Sequence, residues 1–439
     1  MVLWLMIFCL TGCNLPAPSA QDQSTPTASA VPALQPSATI ALPPTATPVP
    51  AQTICTDHAC MSGVQFNYLI VTRPLFIDAL TPFINWKAEQ GFRVGVVTVD
   101  WLDQTFEGRH MAERMKTGMH TLRKNAGVVY VLLVGDTAIT AWKFNVRDVL
   151  ASYRLETDWN VPTGFYRRLK EDPARDVLPS DAYFVEDKDW DPNNTGLNPI
   201  GNQAIGEGTF DASLYLGRWP VREPAQIEAI FHKTRSAMPA AKVYFSADNT
   251  LSDYNKTFCR SDPPFPGEEF SCYIDLMETT REAFFEENAP WLLTESQFTD
   301  VTQGDQVRAF KEKFFNYEGV VFFSYHGYHD CWALDGVNCF GMETLKFEAV
   351  FPLLVTQSCL ISTFYFSGEP SLSEQLILNV TGPAVILEPP NPYMFAKYLR
   401  DGASVGEAAW KSASTYVYFP NPISLLGDPS LIALQPPPQ

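Results

Sequence analysis

The chain has 439 residues, 46% hydrophobic and 18% charged, enough for two or three domains with sizeable cores. Thirty-one Lys and Arg against 49 Asp and Glu leave a net charge of -18. That balance excludes the basic surface a nucleic-acid-binding protein needs, and no run of about 18 apolar residues predicts an internal membrane span.

Residues 1–12, MVLWLMIFCLTG, are nearly all apolar, too short to cross a bilayer but of signal-peptide length. Leu10-Thr11-Gly12-Cys13 resembles the bacterial lipobox. That resemblance implies export, lipidation at Cys13 and anchoring on the extracytoplasmic face of a bacterial membrane or cell surface. Residues 13–53 read as a tether. Over 15–52, Pro, Ser, Thr and Ala fill 27 of 38 positions, nine of them Pro, with Asp22 the single charge. Such a segment cannot bury enough apolar surface to order itself and favours extended polyproline geometry.

The remainder alternates strands and helices. Near-continuous apolar runs at 68–71, 94–97 and 128–134 predict strands buried on both faces, as in parallel sheets. Amphipathic stretches at 77–90 and 111–125 predict helices between them. Further strands are expected at 213–217, 242–246, 319–325, 352–357 and 383–387, and helices at 223–237, 304–316, 371–379 and 404–412. The alternation predicts an α/β fold with a mainly parallel sheet flanked by helices. Its two adjacent subdomains are expected at 54–240 and 241–435.

Nine cysteines are present. Cys9 and Cys13 belong to the export segment. Six others fall into close sequence pairs, Cys55 with Cys60, Cys259 with Cys272, and Cys331 with Cys339, and are disulfide candidates in an exported chain. Cys359 is left over, either an inert core thiol or a reactive one.

Sites in open α/β sheets form beyond the carboxyl ends of strands. The strand 319–325 runs into His326-Gly327, and the strand 352–357 runs into Ser358-Cys359. If these strands are parallel neighbours, an imidazole and a thiol emerge together. A thiolate would attack a carbonyl while the histidine carries the proton to the leaving amine. The amides of Gly327 and Cys359 would bind the oxyanion. His329 is a rival base. A zinc set of His326, His329, Cys331 and Cys339 has suitable atoms, but its spacing matches no standard zinc module.

These residues resemble the gingipain family of cysteine endopeptidases, which have a caspase-like fold. The string Phe323-Ser324-Tyr325-His326-Gly327, with Trp332 six places beyond the histidine, is similar to the family's histidine motif. Cys359 follows His326 by 33 residues, as the family's nucleophile follows its histidine. Leu133-Val134-Gly135-Asp136, Ser180-Asp181, Leu216-Gly217-Arg218-Trp219-Pro220-Val221 and Leu426-Gly427-Asp428-Pro429-Ser430-Leu431 match further family stretches in order. The chain departs at Tyr325, where the family has Gly, and bulk there would narrow a substrate cleft. It departs again at Ser362 and at Glu388-Pro389-Pro390.

The resemblance implies a Cys359–His326 dyad working through a thioester acyl-enzyme on protein or peptide substrates. A third residue should orient the imidazole. Relatives contribute an acid near the strand around Leu214, which points to Asp211, with Ser213 the alternative occupant of the aligned position. Asp187, Asp189, Asp191 and Asn193 alternate oxygen side chains as in half of a calcium loop. Structural calcium is a candidate there, and no cofactor is required for the chemistry. A catalytically inactive scaffold serving as a surface binding protein is the competing function.

Overall fold

The structure is a computed structural model. It describes residues 52–55, 64–137, 164–167, 177–187, 212–248, 291–299, 303–328, 330–333, 339–342, 345–356, 358, 370–389, 391–413 and 425–436, with single positions between 277 and 289.

The elements follow the predicted alternation. β1 (Gln52–Cys55) and β2 (Tyr68–Thr72) precede α1 (Ile77–Glu89), β3 (Val94–Thr98), α2 (Val99–Thr105), α3 (Met111–Ala126) and β4 (Tyr130–Val134). A hairpin, β5 (Gly164–Arg167) and β6 (Val177–Ser180), leads to the one-turn α4 (Ala182–Val185). Then come β7 (Tyr215–Trp219), α5 (Pro224–Ser236), β8 (Lys242–Asp248), β9 (Leu293–Thr299), α6 (Gly304–Phe315) and β10 (Val320–Ser324). A three-stranded antiparallel sheet follows: β11 (His326–Tyr328), β12 (Cys331–Ala333) and β13 (Cys339–Phe340). The chain closes with β14 (Val350–Thr356), α7 (Leu372–Leu378), β15 (Gly382–Leu387), α8 (Pro392–Arg400), α9 (Val405–Ala413) and β16 (Leu425–Leu426).

Local chemistry sets several ends. The Thr98 hydroxyl accepts from Trp101 N at the start of α2, and His110 Nδ1 does the same for Glu113 N at α3. Gly127, at φ 82°, ends α3 in the left-handed region. Ser371 and Glu374 make a reciprocal capping box on α7.

The two predicted halves share one sheet of eleven strands, ordered β1-β3-β2-β4-β7-β16-β15-β14-β10-β8-β9. Every neighbouring pair is parallel except β15–β16. The first block, β1 to β7, therefore runs opposite to the second, β8 to β15. β16 joins them through a single registered pair, Leu426 with Arg218. That approach needs Gly217, because a Cβ there would collide with the Gly427 carbonyl oxygen. The chain begins its first strand inside the expected tether: Thr53-Ile54 are β-branched, and β1 pairs in parallel with β3.

One face of the sheet carries a core running across both blocks, with Val71, Val131, Phe245, Phe322, Val355 and Trp410. The opposite face is divided. Tyr68, Phe83, Leu132 and Trp219 pack on the first block, and Phe314, Phe323, Trp332 and Leu354 on the second. The closing Gly-Asp-Pro-Ser motif fastens the first block. Asp428 accepts from Tyr68 Oη at 2.9 Å and from Ser430 N at 3.0 Å, and it pairs with buried Lys87.

Candidate active site

β10 and β14 are hydrogen-bonded parallel neighbours, from Val320–Leu353 to Phe323–Thr356. Each pair differs by 33 in sequence number, and so do His326 and Cys359. Parallel neighbours lie about 4.8 Å apart. Two residues beyond the end of β10, His326 opens β11, with its backbone opposite Ala333. Gly327 is buried and stands opposite Trp332. The carboxyl edge of these strands therefore carries the His-Gly step and Ser358.

Three elements hold that step. Trp332 of β12 is wholly buried, and its ring centroid lies 4.5 Å from that of Phe323. Cys331 is disulfide-bonded, which removes it from a zinc set, since a half-cystine is no thiolate ligand. Cys339 lies on β13, beside β12. Tyr325 precedes the histidine. Its ring stacks into the core, 4.4 Å from Phe323 and 5.3 Å from Phe310. Its hydroxyl lies 2.8 Å from Ser246 Oγ. Burial pushes this phenol far up, so it stays neutral. The expectation that Tyr325 narrows a cleft is thus corrected: alternation along β10 sends its bulk into the core.

The same edge gathers further polar groups. Ser324, Thr356 and Ser358 are fully buried, and among the described residues their hydroxyls meet no hydrogen-bond partner. Asp248 ends β8 and Glu388 follows β15, both buried and both engaged by other groups. The signal for each was an acid directly after an apolar strand, Val243–Ala247 and Ala384–Leu387.

Cys359, Asp211, His329, Cys13, Cys60, Cys259, Cys272, Asp189, Asp191 and Asn193 lie outside the described residues. Cys55 closes β1. Asp187 does not stand alone: Lys124 Nζ lies 2.9 Å and His120 Nδ1 3.6 Å from its carboxylate. Ser213 is committed within the first block. Its hydroxyl donates to Val185 O at 3.0 Å and sits 3.4 Å from His120 Nδ1. His120 Nε2 meets Phe184 O at 2.9 Å. Burial pushes His120 down to about 4, against the pull of Asp187, so this imidazole is neutral and structural at neutral pH.

A family model described as Peptidase family C25 matches residues 62–431. No curated protein matches the chain. Among solved structures, the crystal structure of the Arg-specific cysteine proteinase gingipain R (RgpB) is similar at TM-score 0.53 and 14% identity. That match covers 84% of this chain and 78% of that one. The complex of Porphyromonas gingivalis RgpB pro- and mature domains is similar at TM-score 0.52 and 13% identity, over 84% and 79%. At these identities the likenesses establish a shared fold.

Proposed function

The chain belongs to peptidase family C25 and is a cysteine endopeptidase of the gingipain type; on that premise we propose that Cys359 is its nucleophile and His326 its general acid and base. The observation that supports this dyad is the registry of β10 with β14, whose offset of 33 equals the separation of the two residues.

The thiolate attacks the scissile carbonyl and forms a carbon–sulfur bond. His326 gives its proton to the departing amine, leaving a thioester. It then takes a proton from water, whose oxygen displaces the sulfur and releases the acid. The amides of Gly327 and Cys359 bind the oxyanion in both tetrahedral intermediates. Asp211 orients the imidazole.

Cys359→Ala should abolish peptide hydrolysis and labelling by a thiol-reactive peptide inhibitor, with an unchanged thermal melt. Undiminished hydrolysis would reject the assignment. An inactive binding scaffold predicts instead that the wild-type chain turns over no peptide library and that Cys359 is not selectively alkylated. Asp211→Asn tests the orienting role through a shifted pH profile of kcat/KM.

The acyl anchor belongs to the same proposal. Cys13 carries the lipid, and the peptidase works at the surface. More than one acyl chain holds such a protein stably. Labelled palmitate should enter the wild-type protein and not the Cys13→Ala variant; equal incorporation would reject the anchor.

A further inference from the structure

We propose that Lys87 and Asp428 condense into an intramolecular amide, a side-chain cross-link that ties α1 to the closing Gly-Asp-Pro-Ser segment. The structure shows the two groups as an ion pair, which is the reactant state of such a bond. Lys87 lies in the last turn of α1, and Asp428 stands two residues beyond β16. Lys87 Nζ is 2.5 Å from Asp428 Oδ2, and the two side chains are 2% and 0% exposed.

The two carboxyl oxygens have different surroundings. Oδ1 accepts three hydrogen bonds: from Tyr68 Oη at 2.9 Å, from Ser430 Oγ at 2.9 Å and from Ser430 N at 3.0 Å. Oδ2 accepts no aligned hydrogen bond among the described residues, although Nζ lies against it. A buried carboxylate kept for its charge gains from donors on both oxygens. Three donors on one oxygen instead make the cradle that stabilises the oxyanion of an acyl-transfer intermediate, and the oxygen left bare is the one that must depart. Nζ also donates to Ser430 Oγ at 2.8 Å and to Gln90 Oε1 at 3.2 Å, which pins the amine beside the carboxyl group.

The site favours the neutral product. The rings of Tyr68, Phe83, Trp86 and Phe92 face the amine, with centroids 4.6 to 5.6 Å from Nζ. They attract an ammonium, but burial outweighs the pull of Asp428 and pushes Lys87 down, toward the nucleophilic free amine. Two ions sealed from water carry a desolvation cost that an amide does not. Reactants held this close reach effective molarities of up to about 10⁵–10⁸ M, which drives a condensation that bulk water opposes.

Nζ first passes one proton to Oδ2, giving an amine and a carboxylic acid. The nitrogen lone pair attacks Cγ and forms the C–N bond, while the carbonyl pair moves onto Oδ1, where Tyr68 and Ser430 hold it. A second Nζ proton passes to Oδ2. The pair on Oδ1 returns, the C–Oδ2 bond breaks, water leaves, and the amide nitrogen keeps the third proton. Lys87 and Ser430, neighbours in space, are 343 positions apart in the chain. A link here therefore closes a loop spanning both blocks and stabilises by restricting the unfolded chain, as a disulfide does.

Tandem mass spectrometry of a denatured tryptic digest of the full chain reads the bond. Wild type should give a branched peptide joining the Lys87 and Asp428 segments, one water lighter than the two linear peptides together, with no cleavage after Lys87. Linear peptides alone would overturn the cross-link and leave the pair ionic. Lys87→Arg keeps the charge but offers no amine that acylates, so it should give linear peptides only. A bridged Lys87→Arg chain would overturn the assignment of the nucleophile. Tyr68→Phe keeps the ring and deletes one donor to Oδ1. In chains sampled at intervals after synthesis is stopped, it should bridge about 10²-fold more slowly than wild type; an equal rate would overturn the oxyanion cradle. The bond is independent of the peptidase reading, and a Cys359→Ala chain should bridge as the wild type does.

Discussion

In the first block, the groups that fix the end of β7 are charged and buried: Arg218 with Asp181, Arg222 with Asp136, and nearby Lys87 with Asp428. In the second block, the support beneath the histidine-bearing hairpin is a stack of rings, Phe310, Phe314, Phe323, Tyr325, Trp332 and Phe347. Both pack on parallel strands, yet they respond to different perturbations. Buried charge is held only while every partner and proton is present. Stacked rings tolerate pH, because the tyrosines among them are pushed up by burial and stay neutral. The histidine-bearing hairpin is thus mounted on stacked rings, while the first block carries the buried ion pairs.

The largest effect should come from breaking a first-block pair. Arg218 makes two bonds to Asp181, at 2.7 and 2.8 Å, and one to Gly135 O at 2.7 Å. Arg218→Met removes the guanidinium from a buried carboxylate and should destabilise by about 3–5 kcal/mol in urea unfolding. The double variant Arg218→Met/Asp181→Leu should recover much of that loss, because no lone charge remains. A double variant worse than the single one would show that the pair contributes more than its own burial.

Acid provides the next test. His120 titrates at about 4 in the folded chain and in the ordinary histidine range when unfolded. The unfolded state therefore binds the extra proton between those values, and stability falls as pH drops through the window. The loss should be on the order of 2 kcal/mol near pH 4.5. His120→Gln should flatten that limb of the urea-unfolding profile. An unchanged limb would move the acid sensitivity elsewhere.

Much of the second block could be read from the chain. In a pair of buried parallel strands, a fixed register offset is also a fixed sequence separation, so the spacing of His326 from Cys359 carried geometric information before any fold was known. The strands were found because Val320–Phe323 and Leu353–Val355 are buried on both faces and apolar without interruption. β9 escaped notice because LTESQFT is a half-exposed edge strand, polar at most positions. α8 was hidden by Pro389, Pro390 and Pro392, the last of which sits at its first turn, where proline is welcome. β16 is two residues long and defined only by its neighbours. Tyr325 was misjudged because its position before the histidine suggested a cleft, whereas strand alternation decides which face it takes.

A smaller effect sharpens the ring side of the comparison. Tyr325→Phe keeps the stack and deletes only the contact with Ser246. It should destabilise by about 1 kcal/mol and leave KM for a peptide substrate unchanged, since the ring lies in the core. A substantial change in KM would return Tyr325 to the cleft.

The smallest effect belongs to charge without burial. Arg109 grips the Glu113 carboxylate through Nε and Nη2, at 2.9 Å each, and its backbone N–H adds a third bond to the same group. By geometry this rivals Arg218 with Asp181. It differs in that the Arg109 side chain is 46% exposed and Arg218 is sealed. In water both partners are well solvated when apart, so ordering the long side chain offsets most of the attraction. Arg109→Ala should therefore destabilise by less than about 0.5 kcal/mol and shift the urea midpoint little. The backbone N–H of residue 109 still meets Glu113 in the variant, so the N-terminus of α3 should stay formed. A loss approaching that of Arg218→Met would mean that contact geometry, rather than exclusion of water, sets the strength of ion pairs in this fold.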